Sequence, residues 1–198
     1  MDQQITVVGE GAVTAAPDVM RLNAGVEVRK ASAGEAFAAV RQAAARLAEA
    51  LRAAGIAAGD VRTTELSLGP EYEAYPKIAG YRAAQGVEAV VRDLSTADRV
   101  IDTVAGVGEE ARLNGVTFEV SDPGQALVQA RARAFADATA RAGQYAELAG
   151  RPLGQVVSVT EEVRSGPQPL MLAAAEAKDS VSPGRATLSV AVRVVYAF

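Results

Sequence analysis

The sequence predicts an α+β fold: two βαββ-like units, each with a long helix packed on a mainly antiparallel sheet. Three observations carry this. Two long helical stretches each open on a capping signal and close at a glycine. Between them lie segments in which apolar and polar residues alternate with the period of a half-buried strand. A weak repeat also relates the halves: Gly25-Val26, Val28 and Gly34-Glu35-Ala36-Phe37 match Gly115-Val116, Phe118 and Gly124-Gln125-Ala126-Leu127 at a constant offset of 90 residues. The chain is therefore expected to form a single domain over residues 1–198, with subunits 1–93 and 112–198 joined by a short helix at 95–106.

Taken in order, Ile5, Val7 and Ala12-Val13 read as a first strand interrupted by Gly9-Glu10-Gly11, where a bulge or a close backbone approach is expected. Pro17-Asp18 supplies a turn signal, so the first strand is expected to form a hairpin with the second. In that second strand Leu22, Ala24, Val26 and Val28 share one face, and Arg21, Asn23, Glu27 and Arg29 share the other. Ser32-Ala33-Gly34-Glu35 is a capping box opening a helix whose stripe is Phe37, Val40, Ala44, Leu47, Leu51 and Ala54; Gly55 ends it. Strands follow at 61–68 and 81–91, separated by a Gly/Pro/Tyr-rich connection.

Ser95-Thr96-Ala97-Asp98 caps the short helix, and Val116, Phe118 and Val120 alternate as another strand. Asp122-Pro123-Gly124-Gln125 then starts the second long helix, which points Leu127, Ala134, Ala138, Ala142, Tyr145 and Leu148 inward and stops at Gly150. Its alanine content allows close approach to a neighbour. The last strands are expected at 156–163 and 186–195, separated by a Pro/Ser/Gly/Ala-rich loop over 164–184 that is too long for a tight hairpin.

Composition narrows the chemistry. The chain has no Cys and no His, which removes disulfides, thiolate nucleophiles, Ser-His-Asp catalysis and histidine metal ligation. Of 20 basic residues only Lys30, Lys77 and Lys178 are lysine, and the net charge of −4 argues against a general nucleic-acid binder. No run approaches the roughly 18 apolar residues of a membrane span. Met1-Asp2-Gln3-Gln4 does not begin a signal peptide, so the protein is cytoplasmic if Met1 is the native start.

Candidate sites are few. Gly9-Glu10-Gly11 lacks the third glycine of a dinucleotide fingerprint and the Gly-Lys-Ser/Thr of a phosphate loop, so a bulged strand is the preferred reading. Glu71 and Glu73, beside Tyr72, Tyr75 and Lys77, offer two carboxylates on an extended segment, the residue type for acid–base work or for an oxygen-ligated cation. No further oxygen ligands cluster with them. Tyr72, Tyr75 and Tyr81 are candidates for a ligand cleft between the two units, or for packing at a sheet edge or subunit contact. Arg131, Arg133, Arg141 and Arg151 read as a solvated helix face. Leu170-Met171-Leu172 is an apolar patch in the long loop and a candidate assembly or partner contact. No catalytic residue, metal ligand or cofactor is assigned.

Ile5-Thr6-Val7-Val8-Gly9-Glu10-Gly11, Pro17-Asp18, the passage from Gly55-Ile56 to Asp60-Val61-Arg62-Thr63, Pro70-Glu71-Tyr72, Gly80-Tyr81-Arg82-Ala83, Val91-Arg92-Asp93-Leu94, Leu153-Gly154, Pro183-Gly184 and Val195-Tyr196 occur in this order. In that order and spacing the chain resembles the SIMPL-domain family, which includes bacterial periplasmic immunogenic proteins, over essentially its whole length. The resemblance implies an α+β fold, a periplasmic or cell-envelope location, a stress-associated role and, in some members, ring or channel-like homo-oligomers. It implies no reaction, cofactor or catalytic residue. The expected function is a non-enzymatic envelope or stress-response protein that self-assembles into a scaffold, with possible protein partners; the alternative is a small-ligand or peptide-binding module.

Overall fold

The computed structural model describes residues 3–162, 168–170 and 182–197. Its elements are β1 (Gln4–Ala15), β2 (Val19–Lys30), α1 (Ala33–Ala53), β3 (Val61–Ala74), β4 (Lys77–Val91), α2 (Ala97–Ala105), β5 (Ala111–Glu119), α3 (Gly124–Leu148), β6 (Val156–Glu162), β7 (Gln168–Leu170) and β8 (Arg185–Ala197). The architecture is α+β, and every strand pair described is antiparallel. The elements fall into two units, one holding β2 to β5 with α1 and α2, the other holding β1, α3, β6, β7 and β8.

In the first unit the strand order is β3-β4-β2-β5. Ser32 Oγ accepts the Glu35 N–H at 3.3 Å to start α1, and Gly55 at φ 97° follows its end, where a side chain would be strained. The buried face of α1 (Ala36, Val40, Ala43, Ala44, Leu47, Leu51) lies on Met20, Leu22, Ala24, Val26 and Val28 of β2 and on Ala83, Val87, Ala89 and Val91 of β4. Each buried valine, leucine or methionine among them contributes about 1.5–3 kcal/mol. A one-residue slip of β2 would carry this whole row to the other face, so burial fixes the register.

The connection expected between residues 68 and 81 is strand instead. β3 runs on to Ala74 and β4 begins at Lys77, so the two form one long hairpin. Gly69 and Pro70 do not interrupt it because β3 is the edge of its sheet, where proline is tolerated, and three register irregularities absorb the remaining mismatch.

In the second unit the order is β1-β8-β6, with β7 also on β8. The hairpin expected between the first two strands is therefore absent: β1 pairs along its length with β8, and β2 pairs with β4 and β5. The strand expected to open the second βαββ unit is β5, and it pairs with β2. Pro17-Asp18 is a turn signal only locally; what selects the partner of β1 is the helix it packs against.

That helix, α3, starts with Asp122 Oδ1 accepting the Gly124 N–H at 3.0 Å and is followed by Gly150 at φ 67°. Its buried residues are Ala130, Ala134, Ala138, Ala142 and Ala146, a stripe of period four. Tyr145 and Leu148, expected to face inward, are exposed instead, at 59% and 78%. The alanine stripe packs with Val7, Val190, Val192, Val194 and Tyr196.

The bulge expected at Gly9-Glu10-Gly11 is not formed either, since the β1–β8 register runs unbroken from Gln4 to Ala15. The two glycines are explained by close approach. A Cβ on Gly9 would overlap Ala134 O and Ala138 N and lie 2.7 Å from Ala138 Cβ; one on Gly11 would overlap Ala130 O and Ala134 N and lie 2.9 Å from Arg133 Cβ. We expect Gly9→Ala or Gly11→Ala to cost about 3 kcal/mol, because helix and strand must separate to admit the methyl group. Gly143→Ala, in the same helix with nothing within 4 Å of its added Cβ, should stabilise by about 1 kcal/mol. Urea unfolding of the three variants checks both signs.

Candidate functional site

Three surface features carry the polar chemistry of the described residues. The first is the face of the β3-β4-β2-β5 sheet opposite α1. Alternation puts Arg21, Glu27 and Arg29 of β2 on this face, and neighbouring strands bring charges to meet them. Glu88 on β4 accepts from Arg62 at 2.9 and 3.1 Å, a bidentate pair, and from Arg21 at 3.0 Å; Arg21 also donates to Glu119 at 2.6 Å. Glu88 is buried, and the hydrogen bonds from Arg62 hold its carboxyl below the usual glutamate range against the opposing effect of burial, with the Arg62 charge and Arg21 adding to the shift.

Further along the same face Glu27 lies 3.5 Å from Arg29, 3.5 Å from Arg82 and 3.8 Å from Arg112. Two shallow hollows open there. One, of about 330 Å³, is lined by Glu27, Arg29, Lys30, Glu110 and Arg112 among others; the other, of about 220 Å³, has Gly25, Ala84 and Gly86 among its lining residues, with Arg82 and Arg112. Glu27 is shared by Arg29, Arg82 and Arg112, and Glu110 pairs with Arg46 at 3.2 Å, contacts that suit cross-strand stabilisation.

The second feature is the β3–β4 hairpin. β2 ends at Lys30, opposite Tyr81, so beyond that point β3 and β4 pair with each other. Tyr72 and Tyr75 sit here, 49% and 86% exposed, with ring centroids 5.6 Å apart and planes tilted by 51°. Tyr81 is partly buried against the α1 core, and none of the three tyrosines lines either hollow. Glu71 bonds to Arg29 at 3.1 Å and Glu73 to Lys77 at 2.6 Å, so the two carboxylates have separate cationic partners. Among the described residues no group of three or more carboxylates is gathered as a cation site would require.

The third feature is the free edge of β1. Arg141 donates to Val8 O at 3.0 Å, Asp137 accepts the Glu10 N–H at 2.9 Å, and Arg133 donates to Ala12 O. These side chains recur every four residues on α3, and their partners recur every two on β1. The matched spacings, about 6 Å along the helix and about 7 Å along the strand, let one helix face cap a whole strand edge. Reading these arginines as a solvated face missed this; the missed signal is the i, i+4, i+8 spacing of Arg133, Asp137 and Arg141 beside the alanine stripe. Arg131 instead forms a bidentate pair with Glu161 of β6 at 2.8 and 3.1 Å.

Of the apolar patch in the long loop, Leu170 ends β7 with its backbone opposite Arg185 of β8; Met171 and Leu172 lie outside the described residues. No helix among the described residues is long and apolar enough to cross a membrane.

The chain is thus an α+β protein of two units, each with a long helix packed on an antiparallel sheet. It belongs to the SIMPL family, described as proteins of unknown function (DUF541), whose model matches residues 5–196. It is similar to the 26 kDa periplasmic immunogenic protein of Brucella melitensis, 32% identical over 212 residues covering 98% of this chain and 84% of the relative, and equally to that of Brucella abortus. It is also 30% identical to the uncharacterized protein YggE of Escherichia coli K12 over 176 residues, covering 84% of this chain and 69% of the relative.

Two expectations follow. Glu88 has a depressed folded-state pKa, so its stabilisation is complete above the unfolded value near 4.5 and is lost as pH falls through the folded value. Urea midpoints measured from pH 6 down to pH 3 should therefore fall less steeply for Glu88→Gln than for the parent, although the variant is less stable at pH 6. Removing the cap on β1 through Asp137→Ala should speed hydrogen exchange of the Glu10 amide by about tenfold, through the loss of one charge-assisted hydrogen bond.

Proposed function

We propose that this protein is a non-enzymatic, self-assembling scaffold of the bacterial cell envelope, associated with stress response. Its similarity to proteins named periplasmic supports the compartment. The observation that carries the assembly reading is the β3–β4 hairpin: Tyr72, Tyr75 and Ile78 on the part beyond β2, and Leu66 and Leu68 of β3 just before it, are all substantially exposed. Apolar side chains gathered on one arm favour contact with another surface, since covering them recovers hydrophobic free energy that solvent exposure forfeits. Leu170, Met171 and Leu172 form a second proposed contact. The ion pairs support a structural role for the carboxylates: Asp60, Glu88, Asp137 and Glu161 are all held toward the ionised form, the first by hydrogen bonds from Arg92.

A second reading, a small-ligand or peptide-binding module, is favoured by the exposed Tyr72–Tyr75 ring pair, with Tyr81 further along the hairpin. Light scattering across a concentration range separates the two. A discrete species at a multiple of the 20.4 kDa chain mass, reduced by Tyr75→Ser with Ile78→Ser, is the expected outcome. A monomer at every concentration would overturn the scaffold reading and direct attention to the tyrosines.

A further inference from the structure

An edge strand exposes a row of unpaired N–H and C=O groups, and proteins blunt such edges by capping, bulges, proline or charge. Among the described residues the edges at β1, β3, β5 and β6 are treated unequally. β1 is capped by Arg133, Asp137 and Arg141 of α3. β3 carries Pro70 and three register irregularities against β4. β5 has a register shift beside Asn23/Ala24 of β2 and contains Gly115 at φ 144°.

β6 has little such protection. Its register with β8 shifts once, between Val156 and Ser158, and runs unbroken from Ser158 to Glu162; its sequence, Val156-Val157-Ser158-Val159-Thr160-Glu161-Glu162, contains no proline or lysine. Residues Val156 to Glu161 are all exposed, and among the described residues no side chain caps its outer backbone. Val159 lies opposite Val194, which α3 buries, yet Val159 itself is 51% exposed. The helix covers β1 and β8 and reaches β6 through Arg131 on Glu161, while Val128 and Phe135 of α3 are exposed.

We propose that the outer edge of β6 is a docking surface for β6 of a second copy of this chain, the two strands pairing antiparallel about a two-fold axis near Val159 so that the sheets of two subunits become continuous. This rests on the self-assembly reading above and gives it a first interface. Charge selects the occupant. In an isologous contact any net charge on the patch opposes itself, and here both acidic residues of β6 are already neutralised within their own chain: Glu161 by Arg131 at 2.8 Å and Glu162 by Arg193 at 2.6 Å. The strand also suits its own reverse. Centring the pair on Val159 sets Val159 against its copy and Ser158 against Thr160 of the other subunit, an apolar pair flanked by hydroxyl pairs. Val156, Phe135 and Val128 widen the apolar area beyond the strand, as an interface of about 800 Å² per partner requires.

The test uses the absence of cysteine from the chain, which makes a single introduced thiol unique. The full chain carrying Val159→Cys, treated with a mild oxidant, should yield a disulfide-linked dimer, whereas Leu113→Cys, exposed on the other unit's sheet, should not. Val159→Lys should lower the light-scattering mass to half or less of the parent's. Its far-UV circular dichroism should match the parent's, because the site is already solvent-facing in the subunit. An oligomeric parent whose mass survives Val159→Lys, with no cross-linking at residue 159, would overturn this interface and leave the scaffold reading standing. A monomeric parent would overturn both. If the subunit stays monomeric while an acetylated peptide copying residues 155–161 binds it and is lost on Val159→Lys, the edge serves an extended segment of another protein and the second-copy assignment is wrong.

Discussion

The contact on which the second unit depends is the approach of α3 to β1 at Gly9 and Gly11. Helices normally stand off a sheet by the length of their side chains. Here alanine on one side and glycine on the other bring backbone against backbone, with Ala130, Ala134 and Ala138 over the two glycines. Such packing buries little apolar area per residue, yet it gains dispersion contacts along the length of the helix. It also draws α3 near enough for side chains at its margin to reach the strand's outer backbone. The caps on Val8, Glu10 and Ala12 follow from the glycines, because the same arginines on a helix held farther away would end in solvent.

Each unit therefore solves a different problem. The first packs branched aliphatic side chains under α1 and ties its opposite face with charge pairs running across strands, Arg62 to Glu88 to Arg21 to Glu119. Individual exposed pairs contribute little. A buried carboxylate shared by two guanidiniums contributes more, because removing one partner strands a desolvated charge. The second unit has few large side chains to bury and relies on proximity instead. A methyl group added at Gly69 of the first unit's sheet meets nothing within 4 Å, while one added at Gly9 or Gly11 meets backbone.

These differences explain which parts of the fold were legible in sequence. α1 could be read closely because Ser32, the stripe from Val40 to Leu51 and Gly55 are local signals that agree with one another. β2 could be read because its alternation reports a single buried face. The partners of β1 could not be read, because Pro17-Asp18 promised a hairpin whereas the deciding feature, a glycine pair matched to an alanine stripe, lies more than 100 residues away. The extent of β3 and β4 was hidden by Gly69, Pro70 and Gly80, which punctuate a central strand but are tolerated at an edge. Of the candidate positions, Tyr72 and Tyr75 come together and Tyr81 does not join them. The residues that manage the sheet edges, Arg133, Asp137 and Arg141, carried only the neutral signature of a charged helix face.

Edge management is also where structure meets function. Capping β1 requires three side chains at fixed spacing and two glycines at which any Cβ would meet the helix backbone, a large commitment for a strand that could have been shielded by one lysine. The commitment is intelligible if the chain works at high local concentration beside copies of itself, where an open edge of the wrong strand would seed disordered association. With β1 capped and β3 and β5 interrupted, the strand pairing proposed above falls on β6. An assembly limited to one edge of one sheet closes on itself as a pair, and any larger array must then use a chemically different surface, for which the tyrosine-bearing hairpin is suited by its length and its exposed apolar side chains.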